Sequence, residues 1–339
     1  MTAQTYVDLA RRLRQLPAPG DGDAKRSLVQ AATLAASSHN TQPWTFRVTS
    51  SGIAIDPDLS RRCEVVDPDD SHLFKSLGCA AENIVAAAPV YGFSTAVRIA
   101  NGGRIEIDLA ASATSTDRHA LEVIAGRQCT KTPYDGRPLQ SAEMVELESA
   151  GTAEGVRIRL IDDVNLQETI LELVNEGNRS QLSEPLFRRE LISWIRVSDA
   201  QAIRTGDGLS GRVSNQPQLP AWLAKPILRF VLTPEAQVKT DTVNLRSSAG
   251  IAVFIGDIDE LPAWVETGRA YERFALRATA AGIRNAFINQ PIEVRRLRQE
   301  LHSVLGLGGT ETAHLMVRYG RAPPAPYSLR RPVADVRIG

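Results

Sequence analysis

From Ala36 to Trp44 the chain reads Ala-Ser-Ser-His-Asn-Thr-Gln-Pro-Trp. Three hydroxyls, an imidazole, two carboxamides and an indole fall within nine residues, just after an alanine-rich helical segment. Proline disfavours helical geometry in the residue before it, so Gln42-Pro43 ends that segment and stiffens the chain there. The result is a loop rich in neutral donors and acceptors: Ser37, Ser38, His39, Asn40 and Gln42. Such a loop suits the edge of a planar heteroaromatic ligand. The competing reading is a polar turn beside a buried tryptophan.

A second cluster is Arg127-Gln-Cys129-Thr130-Lys131. Alternate residues of an extended chain project to one side. Cations so placed with a hydroxyl or thiol between them can clamp a phosphate. A solvated basic turn is the alternative. Arg330-Arg331-Pro332 adds cations near the C-terminus; a polar tail is the alternative there. Gly206-Asp-Gly208-Leu-Ser-Gly211 matches a dinucleotide fingerprint in letters only, because it follows a charged helical segment and opens no helix. The five histidines show no metal-ligand spacing, and no hydrolase nucleophile elbow is present.

The elements that position these clusters occur twice. Gly78, Ala80, Glu82, Ala88 and Gly92 align without a gap on Gly268, Ala270, Glu272, Ala278 and Gly282. Both segments predict helices, with apolar stripes at Leu73, Leu77, Ala81, Ile84 and Ala88 and at Trp264, Tyr271, Ala275 and Ala278. Each ends on glycine. Helical stretches over Ser27–Ala36 and Ser141–Ala150 lead to strands over Trp44–Val48 and Val156–Ile161. Further strands are expected over Arg104–Leu109 and His314–Tyr319. Helices must cover a sheet, so the class is α+β: two fused repeats, expected to span 1–115 and 116–339, packed as a pseudo-homodimer. The second repeat carries an insertion at about 162–243, with a charged helix around Glu184–Arg196, a Gly/Pro/Ser/Asn stretch from Thr205 to Pro220, and Trp222. It reads as a lid or as surface decoration.

Lys plus Arg and Asp plus Glu are 39 each, and no basic face for nucleic acid is expected. No apolar run approaches the ~20 residues that span a bilayer. Residues 1–20 lack the apolar core of a signal peptide. Three scattered cysteines argue for a reducing compartment, and the cytoplasm is expected.

Ser37-Ser38-x-Asn40-x-Gln42-Pro43-Trp44 resembles the flavin-contacting loop of FMN-dependent nitroreductases. Arg127-x-Cys129-x-Lys131 resembles their phosphate motif, Arg330-Arg331-Pro332 their basic finish, and Phe287-Ile288-Asn289-Gln290 the segment at the reactive edge of the ring. Ordinary members draw these parts from two subunits. Here the loop lies only in the first half and the clamp only in the second, as in the twin-domain, Acg-like branch. The resemblance implies a nitroreductase-like fold and one FMN per monomeric chain. It implies contacts from Ser37, Ser38, His39, Asn40, Gln42, Arg127, Cys129, Thr130, Lys131, Ile288, Asn289, Gln290, Arg330 and Arg331. It implies hydride transfer from NAD(P)H through flavin to a small organic acceptor. An alternative is a catalytically silent protein that stores flavin under a lid. Cys129 and Lys131 depart from the motif, since a thiol is a weak donor and lysine lacks the guanidinium fork.

Overall fold

The computed structural model describes residues 5–213 and 232–338. In chain order the elements are α1 (Tyr6–Leu13), α2 (Ala24–Thr33), β1 (Trp44–Val48), β2 (Gly52–Pro57), α3 (Ser71–Ala87), β3 (Phe93–Ile99) and β4 (Ile105–Ala111). Next come α4 (His119–Gly126), α5 (Ser141–Gly151), β5 (Val156–Ile161), α6 (Val164–Ser183), α7 (Pro185–Trp194), β6 (Ile195–Arg196), α8 (Asp199–Thr205), β7 (Leu209–Ser210) and α9 (Pro234–Arg246). The chain finishes with β8 (Gly250–Gly256), α10 (Leu261–Ala280), β9 (Arg284–Phe287), α11 (Gln290–Glu293), α12 (Arg295–Leu305), β10 (Thr312–Gly320) and α13 (Val333–Val336).

The α+β class and the duplication are visible in the topology. One sheet runs β1-β2-β4-β3, the other β5-β8-β10-β9, and every neighbouring pair in both is antiparallel. The strands expected at Trp44–Val48 and Val156–Ile161 have those same bounds. β2, β3, β8 and β9 were not anticipated. β8 is buried throughout, so it lacks the polar–apolar alternation that marks a half-exposed strand.

The repeats meet along α3 and α10. A Cβ on Gly78 would lie 2.1 Å from the Val265 carbonyl oxygen, and one on Gly268 would lie 1.9 Å from that of Lys75. Lys75 and Val265 each precede their repeat's glycine by the same interval, so the two contacts are reciprocal. That reciprocity is the mark of a twofold axis, here inside one chain. The predicted stripes Leu73–Leu77–Ala81–Ile84 and Tyr271–Ala275–Ala278 are buried in the core that joins both sheets.

The insertion does not float. Cys63 and Val66 of the first repeat pack against Leu182 and Phe187, and Glu190 accepts from the amides of Val65 and Val66. Asp207, buried, pairs with Arg196 at 2.7 Å and with Arg61 of the first repeat. Trp222 and part of the Thr205–Pro220 stretch lie outside the described residues. Among the described residues, no helix is long and apolar enough to cross a membrane.

Candidate functional site

The Ser37–Gln42 loop is a short 3-10 turn with three non-glycine residues at positive φ: His39 (47°), Asn40 (56°) and Gln42 (53°). Such backbone is costly unless its surroundings hold it. Asn40 Nδ2 donates to the carbonyls of Gly208 (3.1 Å) and Leu329 (3.2 Å), and its Oδ1 accepts from Arg330 at 2.9 Å. Gln42 Nε2 donates to the Gly206 carbonyl at 2.9 Å, and its Oε1 accepts from the Arg331 amide at 2.8 Å. Both carboxamides therefore bind the insertion and the C-terminal segment. Ser37 Oγ accepts from the Gln42 amide, and the Ser38 amide donates to Ser76 Oγ.

The second repeat brings the other cluster to the same seam. Cys129 pairs with Asn285 of β9 as an isolated parallel bridge, and the Thr130 amide donates to the Asn285 carbonyl at 3.0 Å. Cys129 Sγ lies 3.8 Å from the Tyr271 hydroxyl. Thr130 and Ile288 are buried, and the Ile288 amide donates to the Met316 carbonyl. Asn289 Oδ1 accepts from the Met316 amide at 2.8 Å. Gln290 Nε2 donates to Asn178 Oδ1 and Asp241 Oδ2, both at 3.1 Å.

Burial first, then the Lys131 charge, pushes His39 down to about 4, yet its ring is only half-buried. Lys131 is itself lowered by the protein around it, although the residue is exposed. Lys131 has no carboxylate within ion-pair distance among the described residues. Two open clefts, of about 410 and 450 Å³, lie elsewhere on the surface, the larger beside Arg14 and Tyr327.

Deeper in the seam sits an excess of positive charge. Arg127, 1% exposed, contacts Glu272 at 2.9 Å and donates to the Leu34 carbonyl at the end of α2. Burial opposes its charge, but Glu272 reverses this and holds its pKa above the ordinary value. Arg330 is buried against Asn40 and the carbonyls of Leu34 and Ala35. Burial, and then Arg127, lower it to about 10. Arg14 is buried too, donates to the carbonyls of Ala125 and Arg127, and is lowered well below its usual value by burial, then by Arg330 and Arg127. Among the described residues Glu272 is the sole carboxylate in ion-pair contact with any of the three. The Nε atoms of Arg14 and Arg330 are buried without a hydrogen-bond partner. Arg331 donates to the Gln42 carbonyl and lies 3.9 Å from Asp58.

The pseudo-equivalent position is balanced. Glu82 pairs with Arg269 (3.0 Å) and Arg273 (3.1 Å), and both arginines also pair with Glu266. Arg273 donates to the Ala150 carbonyl near the end of α5, as Arg127 does for α2. Two cations face two carboxylates there; three face one at the first seam.

Arg14, Glu272, Asn178 and Asp241 escaped sequence reasoning. Arg14 follows Arg11 and Arg12 on α1, and only packing tells them apart. Glu272 appeared only as a repeat position. Asp241 carried no local signal.

The buried histidines set an acid limit. His39 and His314 are held down to about 4, and His72 well below its usual value, in each case by burial first. The unfolded chain then binds more protons than the native one between the ordinary imidazole pKa of 6.5 and about 4. Stability contributed by these groups is present above 6.5 and lost as pH falls. Glu293, raised to about 7, and Glu272 and Asp70, also raised, in each case by burial first, work in the opposite sense, while His302, lowered by burial first, joins the other histidines. Denaturant melts across that window should show midpoints falling with pH; a flat or rising profile contradicts the burial of neutral imidazoles.

The architecture defines a fused, internally duplicated α+β protein with an ionic seam between its repeats. No family model matches the sequence. The chain is similar to a Mycobacterium tuberculosis (strain H37Rv) protein named "Putative NAD(P)H nitroreductase Rv3131", at 25% identity over 330 residues, covering 93% of this chain and 91% of the relative. It is 24% identical over 328 residues to "Putative NAD(P)H nitroreductase acg" of the same strain, covering 93% and 95%. Its resemblance to Acg-type nitroreductases thus runs along nearly its whole length. A solved nitroreductase with bound FMN from Desulfitobacterium hafniense superposes with a TM-score of 0.41 at 13% identity, over 62% of this chain and 94% of that one.

Proposed function

We propose that this chain is an FMN-dependent oxidoreductase that passes hydride from NAD(P)H to a small organic acceptor. The observation that carries this reading is the charge imbalance at the seam. A buried cation without a counter-ion is costly, and a phosphate of nearly two negative charges would neutralise the excess over Arg14, Arg127 and Arg330. The names of the mycobacterial relatives agree with it.

In this reading Arg14, Arg127 and Arg330 hold the phosphate electrostatically. Ser37, Ser38 and the Thr130 hydroxyl border the chain that joins it to the ring. Asn40, Gln42 and Arg331 hold the loop in its left-handed conformation, and His39, Cys129 and Lys131 border the ring. The Lys131 cation favours gain of negative charge nearby. Ile288 and Asn289, between β9 and α11, and Gln290, which opens α11, border the ring, with Gln290 oriented by Asn178 and Asp241. Bound flavin supplies the hydride acceptor and donor; the protein excludes water and fixes orientation. The balanced charges around Glu82 support one FMN per chain. The reading also keeps a repeat boundary near residue 115 and a chain that needs no second copy.

The test is an FMN titration of the purified protein followed by flavin absorbance and light scattering. One FMN per monomer is expected. Arg330→Ala should weaken binding by about 1.5–3 kcal/mol, the loss of a charged hydrogen bond. Unchanged affinity would remove Arg330 from the phosphate site, and a protein that takes up no FMN ends the proposal.

A second reading, flavin storage without turnover, is favoured by one observation: Gly206 and Gly208 of the insertion are hydrogen-bonded to Gln42 and Asn40. Anaerobic stopped-flow with NADH and NADPH separates the two. Bleaching within seconds supports the enzyme; bleaching by dithionite alone supports storage.

A further inference from the structure

Glu293 closes α11, one turn after Gln290, a residue that the oxidoreductase reading places at the ring. Its carboxylate accepts from Gln181 Nε2 of α6 at 2.6 Å and lies 3.9 Å from His72 Nε2 of α3. Its side chain keeps 17% of its surface open. Around it stand Asp67, whose carboxylate accepts from the amides of His72 and Leu73, and Lys75, whose Nζ donates to Ser71 Oγ at 3.0 Å. Arg298 of α12 adds a cation. Cys63 lies on the loop side, its Sγ 3.5 Å from His39 Nδ1. Apart from Gln181, no hydrogen-bond donor reaches the Glu293 carboxylate among the described residues.

We propose that Glu293 is the proton-exchanging group of this cluster, taking one proton from water when negative charge arrives nearby and returning it when that charge leaves. The inference rests on the oxidoreductase reading for its purpose. Hydride brings one proton and two electrons, so the site gains one negative charge. One proton from solvent onto the Glu293 carboxylate cancels it, and oxidation by the acceptor releases that proton again.

The surroundings suit that role. Burial raises the carboxyl to about 7; Asp67 pushes the same way, while Gln181, Lys75 and Arg298 push back. His72 contributes no charge, because burial and then Lys75 hold it neutral. Lys75 is itself lowered to about 8, by burial first. Glu293 therefore stands near half-protonation at neutral pH, where a small change in local charge moves a proton.

Two measurements test this. Infrared spectra of the FMN-free protein through the neutral range should show a protonated carboxyl band that vanishes with a midpoint near 7. Glu293→Gln should abolish it, and Gln181→Leu, which removes the donor to the carboxylate, should move the midpoint upward. Absence of the band in the native protein, its survival in Glu293→Gln, or an unmoved midpoint in Gln181→Leu overturns the assignment. In the FMN-loaded protein, spectroelectrochemistry should show the flavin potential changing slope with pH near the same midpoint. That bend should be lost in Glu293→Gln while FMN stays bound; a bend that persists rejects coupling to the flavin. Failure to bind FMN would sink the oxidoreductase reading and leave the infrared result standing by itself.

Discussion

Gly268→Ala is expected to destabilise the protein by roughly 3 kcal/mol or more, with Gly78→Ala close behind. The added methyl would lie 1.9 Å from the Lys75 carbonyl oxygen in the first case and 2.1 Å from that of Val265 in the second. Neither obstacle is a flexible side-chain tip. Both are backbone of the facing helix, so α3 and α10 would have to part along the contact that joins the repeats. Parting them also strains Cys79 Sγ, which donates to the Gly268 carbonyl at 3.2 Å. Gly308→Ala is the control: a Cβ there meets nothing within 4 Å, and a change within about 0.5 kcal/mol is expected. Chemical denaturation of the three variants decides it. A Gly268→Ala protein as stable as the native one would mean the repeats do not pack as described.

Glu272→Gln should produce two opposite effects from one cause. In the FMN-free protein it leaves Arg127 buried without its carboxylate, beside Arg330 and within the field of Arg14. Breaking a buried pair in this way costs about 3–5 kcal/mol, so the melting temperature should fall steeply. In the proposed holoprotein the same change enlarges the positive excess that the phosphate neutralises. The increment in melting temperature on adding FMN should therefore be larger in Glu272→Gln than in the native chain. Arg127→Ala should also destabilise the free protein, because Glu272 then loses its partner, but it should shrink the FMN increment. Equal increments in all three proteins would place the phosphate away from these arginines. The pair of variants separates a structural ion pair from a binding site, which neither does alone.

The sequence by itself determined the duplication, the α+β class and several element positions. These are local or periodic properties. Glycines at matched intervals and apolar stripes are written into neighbouring residues, because side-chain direction repeats with the element's own geometry; the proline stop expected at Gln42-Pro43 is not what ends α2, which finishes at Thr33. β1 and β5 were legible for that reason, whereas β8, buried along its length, carries no alternation to read. The candidate loop was legible in composition, but what its amides bind was not. Asn40 and Gln42 look like ligand contacts in a string of letters, and folding turns them toward Gly206, Gly208, Leu329 and Arg331.

Tertiary structure alone decided the charge count. Arg11, Arg12 and Arg14 are equivalent as text, yet Arg14 is buried beside Arg127 and Arg330. Glu272 and Glu82 are equivalent as repeat positions, yet one meets a single arginine and the other two. Electrostatic energy depends on distance and burial between groups far apart in the chain, and no local pattern encodes either.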